Sequence, residues 1–249
     1  MPARPVEIRT LSVWREDPLG GDPRRVITDL DLDFDAGERV ALVGANGAGK
    51  TSLLLALVGA VPFEGRVSYG DLALDRRTLG RVRNEVAFVF AEPADQLFSP
   101  SVREEVAFGP KQRGLTGAAL DERASAAIEL VGLSGFEARA PASLSLGEQR
   151  RLALATALSV DPAVLLLDEP TASLDGRARR AVLDALRRTH ATLVVATHDL
   201  DAALELDARV VLLKGGSVVG SGPARELLSD EAELDRAGLL LPLSLTRRK

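Results

Sequence analysis

The sequence predicts an α/β protein with a mostly parallel core sheet, an antiparallel β part and a helical insert. Three observations carry this. Short apolar runs alternate with stretches of helical period along the 249 residues, the pattern of repeated βα units. One strand-to-helix junction is a glycine-rich turn, GANGAGKT (44–51). Between residues 91 and 160 the strand-like runs vanish and helical patterns dominate.

Taken in chain order, Leu30, Leu32 and Phe34 alternate with Asp31, Asp33 and Asp35, which predicts a half-exposed strand of period two. ERVALV (38–43) is an apolar strand run that feeds the glycine-rich turn, and a helix is expected over 51–58. NEVAFVF (84–90), AVLLL (163–167) and TLVVAT (192–197) read as further buried strands. VVLLKGGSVVG (210–220) reads as two strands around Gly215-Gly216, a hairpin signal. LDERASAAIELVGL (120–133) and GEQRRLALATALSV (147–160) carry apolar residues at helical spacing. The chain therefore reads as one domain over 1–249, with a helical part at about 92–160 and a short tail at about 224–249. Leu239, Leu240 and Leu241 of that tail are expected to pack on the core.

Composition removes several classes of function. With 31 Lys+Arg against 36 Asp+Glu the net charge is −5, so no chain-wide basic face for nucleic acid is expected. The absence of cysteine excludes a disulfide scaffold, a thiolate zinc site and thiol catalysis. No run approaches the roughly 18 apolar residues of a membrane span, and MPARPVEIRT lacks an apolar signal core. A soluble, cytoplasmic protein is expected.

The turn at 44–51 has the spacing G-x-x-x-x-G-K-[ST], for which this composition predicts roughly 0.003 chance matches. Lysine is rare here, being found at 50, 111, 214 and 249, so its presence inside the motif is not a by-product of composition. Gly44, Ala45, Asn46, Gly47, Ala48 and Gly49 are read as a backbone nest for phosphate, set on the positive end of the next helix. Lys50 is placed to bridge β- and γ-phosphate oxygens, and Thr51 to offer its hydroxyl to Mg²⁺. VLLLDEP (164–170) ends a buried strand with two carboxylates. By itself such an end reads as a turn; beside a phosphate loop, Asp168 reads as a Mg²⁺ partner and Glu169 as the base that polarises water. His198, in ATHDL (196–200), follows a third apolar run. Open parallel sheets gather ligands at the carboxyl ends of their strands, which brings Gly44, Asp168 and His198 to one edge. Ser145 and Glu148 have the spacing of a capping box, and the same helix start, with Gly147, is also a phosphate-binding geometry. Both readings of that segment stand.

In this order the motifs resemble those of ATP-binding subunits of the ABC transporter superfamily. GANGAGKT, VFAEPADQLF, LSLGE (144–148), LLLDEP, SLD (173–175) and THD fall in the family's sequence of phosphate loop, glutamine loop, signature, acidic strand end, D-loop and switch histidine. The resemblance spans roughly residues 5–225. It implies an ATPase working as a head-to-tail dimer, with ATP and Mg²⁺ held between one subunit's phosphate loop and the other's signature. Ser145 and Gly147 would then act on the γ-phosphate across the interface, Asp175 would cross it, and His198 would hold the γ-phosphate against the attacking water. EPADQLFSPSVREEVAFGP (92–110) and EAELDRAGLLLP (231–242) are similar to the energy-coupling-factor importers of vitamins and metal ions such as cobalt or nickel. That implies integral-membrane transporter subunits and a second ATPase subunit as partners, and a place at the cytoplasmic face of the membrane. A soluble ABC ATPase outside transport and a weakly hydrolysing member of an asymmetric pair are the alternatives.

The chain departs from the family pattern at four places. Ala91 stands where the glutamine is usual, and Gln96, in the separate DQLF element, does not replace it. Leu146 replaces a signature glycine and Glu148 the usual glutamine. The aromatic expected against adenine is either Trp14, the single tryptophan, or by spacing falls at Arg15.

Overall fold

Residues 1–16 and 20–246 are described by this structure, a computed structural model. The strands in chain order are β1 (Val6–Arg15), β2 (Arg24–Phe34), β3 (Arg39–Val43), β4 (Phe63–Tyr69), β5 (Leu72–Ala73), β6 (Val86–Val89), β7 (Val164–Asp168), β8 (Thr192–Thr197), β9 (Arg209–Lys214) and β10 (Ser217–Pro223). They form two sheets. One is antiparallel with order β2-β1-β4-β5; the other has order β10-β9-β3-β8-β7-β6 and is parallel except for the β9–β10 hairpin.

The helices are α1 (Lys50–Leu57), α2 (Leu79–Glu85), α3 (Val102–Gln112), α4 (Gly117–Leu130), α5 (Leu146–Ser159), α6 (Gly176–Arg188), α7 (Leu200–Glu205), α8 (Ala224–Leu227), α9 (Glu231–Ala237) and α10 (Leu243–Thr246). Strands β3, β7 and β8 are continuous apolar runs because both their faces are covered. Val40, Leu42, Leu166, Val194 and Ala196 pack with Leu53, Leu54 and Leu57 of α1 and with the antiparallel sheet. Ala41, Val43, Leu165, Leu167, Leu193 and Val195 pack on the other side with Leu152 of α5 and with Val182, Leu183 and Leu186 of α6. Each fully buried Val or Leu contributes about 1.5–3 kcal/mol relative to exposure. Among the described residues no helix is long and apolar enough to cross a membrane.

Two expectations are corrected. Asn84 and Glu85 end helix α2 instead of opening a strand: Val86 N–H still bonds the Val82 carbonyl, and buried Val82 holds that turn on the core. In the tail Leu239 and Leu241 pack on the core, but Leu240 is 87% exposed. After Gly238 ends α9 in the left-handed conformation (φ 75°), the inward packing of its neighbours Leu239 and Leu241 leaves Leu240 on the solvent side.

The parallel register sets the site. Val43 lies beside Thr197, Asp168 beside Ala196, and Val89 beside Leu167. The next residues of these strands, Gly44, Glu169, His198 and the Phe90–Ala91 pair, therefore leave the sheet along one edge.

Candidate active site

The turn between β3 and α1 is built for a group that approaches backbone. Gly47 and Gly49 have φ of 79° and 104°, a region that costs an L side chain roughly 1–2 kcal/mol. A Cβ on Gly49 would also meet Ile27 Cδ1 at 2.7 Å and the Val26 carbonyl at 2.9 Å; one on Gly44 would meet the Leu213 carbonyl at 2.3 Å. Helix α1 starts without a side-chain cap and without an acidic residue in its first turn, so its free N–H groups and positive end remain available to an anion.

Lys50 is buried (7% exposed). Its Nζ donates to the Gly44 carbonyl (2.7 Å) and the Ala45 carbonyl (3.2 Å). Burial pushes its pKa below the usual lysine value, against the attraction of Glu169 and Asp168. A buried ammonium held by carbonyls alone is a cation that an anionic ligand would complete. It faces a cleft of about 370 Å³ lined by residues 46–52 together with Val26, Ala91, Asp168 and Glu169. Polyphosphate fits these residues.

Thr51 Oγ1 donates to Asp168 Oδ2 at 2.7 Å. Burial raises the Asp168 carboxyl above the usual range; the Thr51 bond and Lys50 pull the other way, while Glu169 adds to the rise. Among the described residues no cluster of three or more His, Cys, Asp or Glu could hold a metal. One carboxylate and one hydroxyl suit Mg²⁺, which keeps several waters and takes its remaining oxygens from phosphate. Glu169 sits in the left-handed region (φ 49°) and its N–H bonds the Ala196 carbonyl (2.8 Å). Its Oε2 lies 2.8 Å from His198 Nδ1 and accepts from Thr197 Oγ1 (3.3 Å) and the His198 N–H (3.4 Å). A carboxylate and an imidazole thus meet at the rim of a phosphate-sized cleft, an arrangement suited to moving a proton beside a phosphoryl group.

Comparison with known proteins names the family. Residues 27–172 match the model of the ABC transporter family. An ABC transporter ATP-binding protein of Geobacter sulfurreducens is 45% identical over 241 residues, covering 96% of this chain and 95% of that one. The chain belongs to the ABC transporter family. An energy-coupling factor transporter ATP-binding protein of Methanothermobacter thermautotrophicus is 38% identical over 243 residues, covering 95% and 76% of the two chains. The dimeric, post-hydrolysis state of the ATP-binding cassette MJ0796, bound to ADP and Pi, superposes with a TM-score of 0.80 at 25% identity, covering 88% of this chain and 99% of that one. This ABC protein is an ATP-binding ATPase.

The remaining motif residues of this ABC chain lie outside the cleft. Ser145 caps α5 in a full capping box: Glu148 N–H donates to Ser145 Oγ (3.4 Å) and Ser145 N–H to Glu148 Oε2 (2.7 Å). The Ser145 N–H and the Ser145 hydroxyl (2.9 Å), both donating to Glu148 Oε2, hold its carboxyl below the usual range, so the residue that replaces glutamine serves the cap. Gly147 leaves room for Leu174: a Cβ there would stand 3.3 Å from Leu174 Cδ2. Leu146 stands 44% exposed beside them. Asp175 caps α6 through the Ala178 N–H (2.8 Å), which lowers its carboxyl pKa. Trp14 is not brought to the phosphate loop either. Its ring lies under the Arg25 guanidinium (5.3 Å to the centroid) and lines a separate hollow with Arg15, Glu16, Pro23, Val61 and Pro62.

Sequence reasoning did not find Val26, Ser52, Thr197 or Asp199. Ser52 had a signal, being next to Thr51 inside a helix start. Val26 had none, because the β1–β2 register and the Thr28 N–H bond to the Gly216 carbonyl (3.2 Å) decide where that strand lies.

Proposed function

We propose that this chain is the ATP-hydrolysing subunit of an energy-coupling-factor importer for a metal ion or a vitamin. It would work at the cytoplasmic face of the membrane, paired with a second ATPase subunit and with integral-membrane transporter subunits, without nucleic acid. In this reading residues 44–50 bind the β- and γ-phosphates. Thr51 and Asp168 would hold Mg²⁺, which would neutralise charge on the phosphates. Glu169 accepts a proton from the attacking water, and His198 steadies that carboxylate and the γ-phosphate. Ser145, Gly147 and Asp175 act across a dimer interface, which agrees with their lying outside their own cleft.

The observation that carries the importer reading is the build of the 92–110 segment. Gln96 accepts the Phe90 N–H (2.9 Å) and donates to the Ala153 carbonyl of α5 (3.4 Å). Buried Glu105 accepts the N–H groups of Phe98 (2.8 Å) and Ser99 (2.6 Å). These polar anchors hold Phe98 and Phe108 outward, 67% and 44% exposed, edge to face with centroids 5.0 Å apart. Exposed aromatics on rigid backbone favour a protein partner, and here they begin a few residues after Ala91 on the cleft wall. The test is affinity purification from detergent-solubilised native membranes, with the F98S/F108S variant as control. The reading expects integral-membrane subunits and a second ATPase with the wild type and their loss with the variant. Equal recovery of the same proteins by both would overturn it.

Ala91 favours a second reading, a weakly hydrolysing member of an asymmetric pair. It lines the cleft and offers no side-chain oxygen where the family pattern has glutamine. Comparing the rate of the chain alone with that of the two-ATPase complex separates the readings.

A further inference from the structure

His198 owes little of its position to packing. Its side chain is 64% exposed, and the polar contact of its ring is with Glu169. What fixes it is the backbone on either side. Thr197 ends β8 and is buried. Asp199 is tied down at every polar atom: its N–H donates to Thr197 Oγ1 (2.9 Å), and its carboxylate accepts the Ala202 N–H (2.9 Å) and the Thr171 hydroxyl (3.1 Å). The remaining hold is Arg179 of α6. Its Nε and Nη2 lie 2.9 and 3.3 Å from Asp199 Oδ2 and Oδ1, and its Nη1 pairs with Glu205 of α7. Both members of the Arg179–Asp199 pair are about three-quarters buried, at 23% and 24% side-chain exposure.

A planar guanidinium across both oxygens of a carboxylate fixes orientation as well as distance, which an ammonium cannot do. Arg179 also lies one helical turn after Asp175, whose carbonyl accepts its N–H (2.8 Å). Arg179 therefore ties α6 to α7 and to Asp199, the residue that follows His198, and Asp199 is in turn tied to the 171 turn by Thr171.

We propose that Arg179 is a positioning residue for hydrolysis: its fork on Asp199 sets the 197–199 turn and so holds the His198 ring against Glu169. The inference rests on the reading of Glu169 and His198 as the hydrolytic pair. A purely structural ion pair would affect stability, and through it the amount of active protein. A positioning pair acts through one imidazole.

The test is a double-mutant cycle on the full chain, with kcat and KM for Mg-ATP, ATP affinity and thermal midpoint measured for R179K, H198A and R179K/H198A. R179K is expected to lower kcat about tenfold with KM and ATP affinity kept within about twofold, since small misplacements of a reacting group cost rate and not binding. H198A alone is expected to lower kcat about tenfold or more. In the H198A background R179K should add nothing, because no ring remains to be positioned. The isosteric D199N keeps an oxygen for the Ala202 cap and should follow the R179K pattern, which covers the case of R179K failing to fold. Wild-type turnover in both R179K and D199N, or the same loss from R179K with and without His198, would overturn the proposal. Wild-type turnover of H198A would instead overturn the hydrolytic pair, and the positioning role with it.

Discussion

Replacing Lys50 by methionine separates what the phosphate loop does for binding from what it does for folding. Lys50 Nζ donates to the Gly44 and Ala45 carbonyls, and the Ala45 oxygen also accepts the Ala48 N–H (3.1 Å). Each bond from the charged amine contributes about 1.5–3 kcal/mol net, a gain that the several kcal/mol cost of burying a cation offsets. The lowered pKa of Lys50 shows that burial outweighs the pull of Glu169 and Asp168. The nucleotide-free K50M protein should therefore keep its stability to within about 1 kcal/mol or gain by that amount.

The sign of the pH effect follows from the same shift. A lysine with a lowered folded pKa binds fewer protons folded than unfolded between that value and about 10.4. The wild type should thus gain stability relative to K50M as pH rises through this window. Binding behaves oppositely. Two charge-assisted bonds to phosphate contribute about 3–6 kcal/mol, or about 10²–10⁴-fold in Kd. Urea unfolding with and without Mg-ATP reads both effects, since ligand at 100 times Kd stabilises by about 2.7 kcal/mol. The wild type should show that shift and K50M should not. A K50M protein that lost more than about 2 kcal/mol without nucleotide, yet kept the ATP-induced shift, would refute the reasoning.

Four further outcomes are expected. Glu169→Gln should bind ATP as before, lose about 10²–10⁴-fold in turnover and elute as a dimer with ATP on a sizing column; near wild-type turnover would move the base elsewhere. Ser145→Arg should spare ATP binding by the single chain and stop hydrolysis, because in the proposed dimer its cation would fill a helix end that faces the other subunit; full turnover in dilute, monomeric samples would exclude action across an interface. Ala91→Gln should raise turnover or sharpen its Mg²⁺ dependence, and superimposable rate curves against Mg²⁺ would remove the support for an asymmetric pair. Burial pushes the Asp199 carboxyl up, but Arg179 and the Ala202 N–H outweigh it and leave the pKa lowered. Its contribution to stability is then complete above the unfolded value near 3.9 and is lost as pH falls through the folded one, so urea midpoints of wild type and D199N should converge below about pH 4.

What could be read from the sequence was local. GANGAGKT announces itself because a phosphate nest needs glycine, lysine and a hydroxyl at fixed spacing on contiguous backbone, and β3, β7 and β8 because burial on both faces confines polar residues to the strand ends. The antiparallel sheet was largely illegible for a physical reason. Thr10 in β1 has φ 47° and the pairing with both β2 and β4 slips around it. Leu11, Ser12 and Val13 are then buried in succession, and the period of two that marks a half-exposed strand is lost. The ties of Asp199 were hidden for another reason: Thr171 and Arg179 come from other elements, and nothing in THD names its distant partners.

Glu169 shows how sequence and structure bear on one another. DEP after an apolar run fits an ordinary turn, and a turn that needs positive φ is filled at least cost by glycine or asparagine. The structure puts Glu169 at φ 49°, a conformation that costs of order 1–3 kcal/mol for such a residue. Neighbours hold it there: the Ala196 carbonyl takes its N–H, and Thr197 and His198 engage its carboxylate. A cheaper residue would satisfy the turn but would leave Thr197 Oγ1 and His198 Nδ1 without that acceptor. The carboxylate is thus kept at a backbone cost in the one place where it faces both the cleft and the imidazole, and in the proposed reaction that is where a proton leaves water. On this argument Glu169→Gly should relax the backbone while removing the base. It should therefore match or exceed wild type in thermal midpoint and fall at least as far as Glu169→Gln in turnover, a pairing that a merely structural glutamate would not produce.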